Sequence, residues 1–443
     1  MDNYYKSVNQ KLLQALPAAA RVLEVGCAEG RLGHVFKQQC PQAEWIGVDI
    51  HAPAVEAAKQ LLDDAHCLNV ERDDLTALGS GFDLVVMGDV LEHLVDPLAA
   101  LERIRALCTP GARLVCCIPN MGHYTVVERL LGGDLSYDDS GLLDTTHVRF
   151  FTLSSAMKLL LDAGWLPHLA DFYEVLGKDE NKVQGLLGLS DMLGVDPAIA
   201  ASNLFVYQFV FSCTLREVVA PVKKARVSVI VPVEDPKIVY LNILRSPGLK
   251  ELEYELIPVE KPGSAAQALA IGAAKAKGDW LFLAAEEFYL PKGAGNALSA
   301  ELTQIPVANR AQSLLGFSGV GLNSAGQANS AGLLLLPHSR QDGPESYGAL
   351  SMEDCGVIVA RESLHQIDPR MGWSHWATDM CLRAMSVPNL QAGRILRIPA
   401  FHNLTRKATV DQAQEDTSIQ HLLERYANTE ALSVLRSVLA RAA

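Results

Sequence analysis

Hydrophobic and polar positions in the first half of the chain switch repeatedly between two rhythms. "RVLEVG" (21–26) is a short apolar run closed by glycine, and "RLGHVFKQQC" (31–40) follows with helical spacing. "AEWIGVDI" (43–50) is the next strand and "APAVEAAKQLLDD" (52–64) the next helix. "FDLVVMGDV" (82–90) reads as a third, fully buried strand, trailed by helical "DPLAALERIRALC" (96–108). "TPGARLVCCIP" (109–119) supplies a turn and a fourth strand. "TLSSAMKLLLDAG" predicts a helix with Thr152 as its N-cap and Gly164 as its stop. Two more strands are expected near 165–173 and 204–213, separated by a partly helical insertion at 178–202. Strand and helix in alternation predict an α/β fold, a mostly parallel sheet covered by helices.

A second α/β pattern restarts at "RVSVIVPV" (226–233) and continues through "YELIPVE", the helix "SAAQALAIGAAKAKG" and the strand "DWLFLAA". "TLREVVAPVKKAR" between the halves has linker character. The expected layout is a first domain over 1–215, a linker over 216–225, a second domain over 226–408 and a helical tail over 409–443. A chain of 443 residues is too long for one ordinary core, which agrees with two domains.

Composition narrows the classes. The formal net charge of −13 gives no general attraction for nucleic acid or anionic lipid. Nine scattered cysteines, with no CxxC pair, argue for reduced thiols rather than a disulfide framework or zinc site. The N-terminus lacks a basic-then-apolar leader, and no run reaches the ~20 apolar residues of a membrane helix. A cytoplasmic protein without membrane insertion or nucleic-acid partner is expected; the sequence does not set its oligomeric state.

Candidate chemistry gathers first at "VLEVGCAEGRLG", a strand that runs through Gly26 and Gly30 into a helix start. Glycines permit a tight corner, and a helix N-terminus offers unpaired N–H groups. Asp49 ends the next strand about 20 residues on, where an acid can accept both hydroxyls of a ribose. Taken together, "LEVGCAEGRLG", "GVDI" and "FDLVVMGDVLEHLVDP" resemble class I S-adenosylmethionine-dependent methyltransferases over roughly 20–215. A dinucleotide dehydrogenase would need a closer GxGxxG.

The resemblance implies a Rossmann-like seven-stranded sheet that takes S-adenosyl-L-methionine and releases S-adenosyl-L-homocysteine. It places Glu24, Gly26, Cys27, Ala28 and Gly30 at the methionine part of the cofactor, Asp49 and Ile50 at the ribose end, Asn69 and Val70 by the adenine, and Gly88 and Asp89 at the closing strand end. Ala28 departs from the usual central glycine.

Methyl transfer to a hydroxyl is helped by a base. His147 in "DTTHVRFFT" is the first choice and His93 in "LEHLVDP" the second. Asp144 and Arg149 could orient the base or grip the acceptor, and Asn120, His123 and Tyr124 in "PNMGHY" are expected to line the acceptor pocket. No metal site is assigned, although Glu92 with His93 could help to hold a divalent cation, as in some related quinone methyltransferases.

The second half resembles family 2 glycosyltransferases of the GT-A fold over 226–403. The resemblance calls for two metal-binding aspartates after "FL", where Ala284 and Glu286 stand, and for an acidic pair where Trp376 and Ala377 stand. A degenerate module is therefore expected, one that still offers a nucleotide-sugar or glycan groove or serves as an assembly surface; Glu286, Glu287 and His402 as a nonstandard metal site are the alternative. The fusion suggests a small-molecule or glycan acceptor, such as a sugar of a bacterial surface polysaccharide or flagellin. Rival readings are a bifunctional methyl- and glycosyltransferase and a cofactor-binding scaffold without catalysis.

Overall fold

The structure is a computed structural model describing residues 8–174, 180–322, 327–337, 339–346, 349–362, 367–386, 393–404 and 412–427. The chain divides into two compact units, Met1–Glu217 and Val218–Ala443.

The first unit is built on seven strands: β1 (Arg21–Val25), β2 (Glu44–Asp49), β3 (Asp64–Cys67), β4 (Phe82–Gly88), β5 (Cys108–Pro119), β6 (Trp165–Glu174) and β7 (Val206–Leu215). Their order is β3-β2-β1-β4-β5-β7-β6, with β1 to β5 parallel and β7 antiparallel to both β5 and β6. The centre is dry on both faces: Leu84, Val85, Val86 and Met87 of β4 are all 0% exposed. Helices α1 (Gln10–Ala15), α2 (Arg31–Gln39), α3 (Ala52–Ala58), α4 (Pro97–Arg105), α5 (Tyr124–Leu131), α6 (Leu153–Asp162), α7 (Glu180–Met192) and α8 (Pro197–Phe205) complete the unit.

Local chemistry sets the helix ends. Asp96 caps α4 by accepting the N–H of Ala99, with Pro97 at the first position, where its missing N–H costs nothing. Thr152 and Ser155 form a reciprocal capping box on α6, and Gly164 at φ +87° turns the chain out of it. The insertion becomes α7 and α8; residues 178–179 lie outside the described set. The expected strand at 204–213 begins two residues later, because Leu204 and Phe205 still belong to α8.

The second unit has strands β8 (Arg226–Val233), β9 (Glu253–Glu260), β10 (Trp280–Ala284), β11 (Phe288–Tyr289), β12 (Leu314–Gly316), β13 (Ser318–Leu322), β14 (Ala328–Leu335), β15 (Arg340–Asp342), β16 (Ala349–Met352), β17 (Gly356–Ala360), β18 (Arg394–Ile395) and β19 (Ala400–His402). Among the described residues they form one sheet in the order β18-β12-β17-β10-β8-β9 and another in the order β11-β19-β14-β13-β16, with β15 on β14. Ala284 explains itself by packing. It is 0% exposed at the end of β10, inside an apolar cluster with Phe282, Phe288 and Phe317, where a carboxylate would lose its hydration. Of the expected tail, 412–427 is described and contains the helix Gln412–Tyr426; the rest lies outside the described residues.

Candidate active site

In the first unit the strand order reverses between β1 and β4, so the loops after β1, β2 and β4 open at one sheet edge, the place where such sheets hold ligands. The corner after β1 is tied to β2: the N–H groups of Gly26 and Cys27 both donate to the carbonyl of Val48, at 2.7 and 3.1 Å. Gly26 has φ +74°, and a Cβ there would come within 2.5 Å of Val90 Cγ2. Ala28 accepts the left-handed region at φ +46°, and Gly30 opens α2 at φ +79°.

Asp49 faces this corner. Its Oδ2 accepts the N–H of Ala28 and its Oδ1 the N–H of His51, both at 2.9 Å. Each carboxylate oxygen retains a further lone pair, so a diol can still be gripped. Ile50, next in the chain, is 74% exposed, an apolar side chain held bare at the mouth. Glu24 and Cys27 lie beneath. Glu24 is buried, accepts the Trp45 indole N–H at 2.8 Å, and is pushed up to about 8 by burial. Asn69 and Val70 form a turn after β3: the Asn69 side chain accepts from Glu71 N–H, and the Val70 carbonyl takes the Arg103 guanidinium at 2.6 Å.

Gly88 ends β4 against Leu12 of α1. Asp89 follows at φ +54°, holds the Gln208 side-chain amide, and is pushed up to about 6 by burial. Gln208 comes from β7, some 120 residues away, and no local pattern announces it.

A second cluster stands just beyond Asp89. Glu92, His93 and His147 place ligand-capable atoms within 4.8 Å of one another. The His93 and His147 rings meet edge to face with centroids 4.8 Å apart. Two backbone ties hold the distant loop here, since Val148 and Arg149 both donate their N–H groups to the Glu92 carbonyl, at 2.9 and 3.0 Å. His147 Nδ1 lies 3.1 Å from the Leu142 carbonyl and His93 Nδ1 lies 3.2 Å from the Thr146 carbonyl. A carbonyl only accepts, so each Nδ1 carries the proton and each Nε2 keeps its lone pair. Burial depresses the His147 pKa, which keeps the ring neutral. The Glu92 carboxylate is 1% exposed with neither oxygen hydrogen-bonded; burial, then Asp89 nearby, raises its pKa well above the carboxylate range.

Asp144 folds back on Thr146, accepting its N–H and hydroxyl at 2.7 and 2.6 Å, and lies close enough to influence both histidines. Arg149 is exposed and reaches the Val95 carbonyl. The loop also exposes Tyr137 and Phe150, whose rings stack at 6.3 Å.

Three expected pocket residues are placed otherwise. Asn120 is 0% exposed and spends its side chain on the carbonyls of Asn203 and Val206 and the N–H of Gly122. It fastens β5 to the α8–β7 junction and has no donor left for an acceptor. His123 is fully buried as the N-cap of α5. Tyr124 packs with Val183 and Leu204 in a small core. In the second unit, Glu286, Glu287 and His402 do not draw together as a cation cage among the described residues.

A family model described as a methyltransferase domain matches residues 23–114. A ubiquinone biosynthesis O-methyltransferase of Rhodopseudomonas palustris is 33% identical over 132 residues, 28% of this chain and 50% of that one. Its namesake from Psychrobacter arcticus is 27% identical over 171 residues, 37% of this chain and 65% of that one. The chain spans between 36% and 50% of the length of the first three curated relatives it matches. A solved S-adenosylmethionine-dependent methyltransferase from Archaeoglobus fulgidus aligns with 48% of this chain and 97% of its own, at 14% identity and a TM-score of 0.35. The family-model match and the curated relatives place a class I S-adenosylmethionine-dependent methyltransferase domain within the first unit, over residues 23–114.

Proposed function

We propose that the first unit transfers a methyl group to a hydroxyl of a small acceptor, with His147 as the base that removes its proton. S-adenosylmethionine would supply an electrophilic methyl on its sulfonium. The cradle fits it: the corner at Gly26 leaves no room for a Cβ, Asp49 keeps lone pairs for the ribose diol, and Ile50 offers an apolar face to the purine. Glu24, Cys27, Ala28 and Gly30 would border the methionine part, Asn69 and Val70 the adenine, and Gly88 and Asp89 the closing side. His147 Nε2 would accept the hydroxyl proton of the acceptor as its oxygen is methylated. The Leu142 carbonyl, bound to Nδ1–H, steadies the resulting imidazolium.

The observation that carries this reading is the pair of histidines, each with Nδ1 tied to a carbonyl and Nε2 left basic. His147→Gln is expected to lower kcat by roughly 10²–10⁴-fold while leaving S-adenosylhomocysteine affinity unchanged. Because burial depresses His147, the acid limb of the wild-type rate should have its midpoint below the 6.5 of an ordinary imidazole, and the variant should lack that limb. Wild-type turnover by His147→Gln rejects the base.

A second reading is favoured by Glu92, whose two buried oxygens lack partners. Glu92, His93 and His147 would then hold a divalent cation that polarises the acceptor hydroxyl. Full activity after exhaustive chelation selects the metal-free route; recovery only on adding Mg²⁺ or Mn²⁺ selects the other.

For the acceptor we favour a sugar of a bacterial surface glycan or a glycosylated flagellin. That choice rests on the glycosyltransferase resemblance of the second unit. The two ubiquinone biosynthesis relatives make a phenolic hydroxyl the competing acceptor. Mass spectrometry after incubation with glycan and phenolic mixtures separates the two.

A further inference from the structure

The turn after β3, residues 69–73, is held from outside by α4. Arg103, in the last turn of that helix, donates its guanidinium to two carbonyls of the turn, that of Val70 at 2.6 Å and that of Asp73. Glu71 Oε1 accepts the N–H of Asp96, the α4 N-cap, at 2.7 Å. Both ends of α4 therefore grip one segment that belongs to no helix or strand.

Inside the turn most polar groups are paired. The Asn69 N–H donates to Asp73 Oδ2 at 2.8 Å, and the Asn69 carbonyl accepts the N–H groups of Arg72 and Asp73 at 3.2 and 2.9 Å. Asn69 Oδ1 accepts the N–H of Glu71 at 2.9 Å. The Val70 N–H differs. It has no protein partner among the described residues, and its trans peptide points it away from the Asn69 carbonyl, out of the turn. Val70 is buried, and a buried donor without a partner costs stability until a ligand meets it.

The direction of that donor is set from behind. The N–H and carbonyl of Val70 are joined through two backbone torsions, so fixing the carbonyl limits how the N–H can turn. A guanidinium fork holds two carbonyls at once, which a single-point donor could not do.

We propose that Arg103 is a positioning residue for the cofactor: by holding the Val70 and Asp73 carbonyls against α4 it keeps the Val70 N–H aimed at the purine, and so sets the preference for adenine. Arg103 acts through Val70 rather than by touching the ligand. The assignment rests on the reading above that Asn69 and Val70 border the adenine. An outward N–H suits a ring nitrogen with a lone pair, as adenine has at position 1. Hypoxanthine carries an N–H there, and two donors oppose each other.

Calorimetry on the full chain compares S-adenosylhomocysteine with S-inosylhomocysteine, which differs from it at the base alone. The wild type should favour the adenosyl compound by roughly tenfold or more. Arg103→Met should weaken S-adenosylhomocysteine roughly tenfold and S-inosylhomocysteine much less, so that the preference shrinks. Arg103→Lys, which keeps the charge without the fork, should lie between the two and decides the question if Arg103→Met does not fold. A preference equal to the wild type's in the deciding variant overturns the proposal, even where both affinities fall together, as general loosening of the domain would make them. No preference in the wild-type chain, or no binding of either compound, removes the adenine from this turn and the proposal with it, a failure separable from that of Arg103 alone.

Discussion

A single methyl group at position 26 measures how tightly the cofactor corner is built. Gly26 combines φ +74° with a Cβ position 2.5 Å from Val90 Cγ2, so Gly26→Ala meets both backbone strain and a clash. A destabilisation of ~1–3 kcal/mol in urea unfolding is expected, together with at least tenfold weaker S-adenosylhomocysteine binding by calorimetry. Wild-type values for both would mean that the corner has slack. The corner was legible because a βαβ unit fixes the spacing: Ala28 and Asp49 are 21 residues apart and hydrogen-bonded. Asn120 was not. Its partners are contributed by residues 203 and 206, and a local reading sees only a polar side chain at a strand end. The Glu92 cluster lies between these cases. "LEH" and "TTH" stand out individually, but only the loop's return to the Glu92 carbonyl brings the two histidines together.

Among elements, strong apolar periods and capping residues gave reliable signals, as α4 and α6 show. β3, "DAHC", was missed because an edge strand with one buried residue has hardly any period to read. α5 was missed because its N-cap is a histidine, which reads more readily as chemistry. His123 Nδ1 lies 2.9 Å from Thr125 Oγ1 while Nε2 is buried without a partner, and burial lowers its pKa to about 4. The folded ring therefore stays neutral below the pH at which the unfolded ring, near 6.5, takes a proton. Stability is fully present above about pH 6.5 and declines as pH falls towards about 4, by on the order of 3 kcal/mol. His123→Asn retains a capping side chain and removes the titration. Urea midpoints of the first unit at pH 7 and 4.5 should differ much less in the variant than in the wild type. An identical pH slope in both would place the acid sensitivity elsewhere.

At the scale of the whole chain, the boundary between the units turns on one residue. The sequence puts Arg216 in the linker, yet it is 9% exposed: its N–H donates to the Gly164 carbonyl and its guanidinium to the Leu161 carbonyl, both at 3.0 Å. These bonds close the C-terminal end of α6 onto the last strand. On the other side, Ala225 already belongs to the second unit, buried and donating to Ser299 Oγ at 3.1 Å. All seven strands of the first sheet lie within residues 1–217, long enough for a self-sufficient core. A fragment of residues 1–217 should therefore fold and bind S-adenosylhomocysteine with the affinity of the full chain. One ending at 215 should also bind it but unfold earlier, having left the Leu161 and Gly164 carbonyls without their partners. That loss is worth ~1–3 kcal/mol, or a few degrees in Tm. Equal melting of the two fragments would show that Arg216 merely rests on the surface. Failure of both to bind would show that the cofactor cradle depends on the second half of the chain.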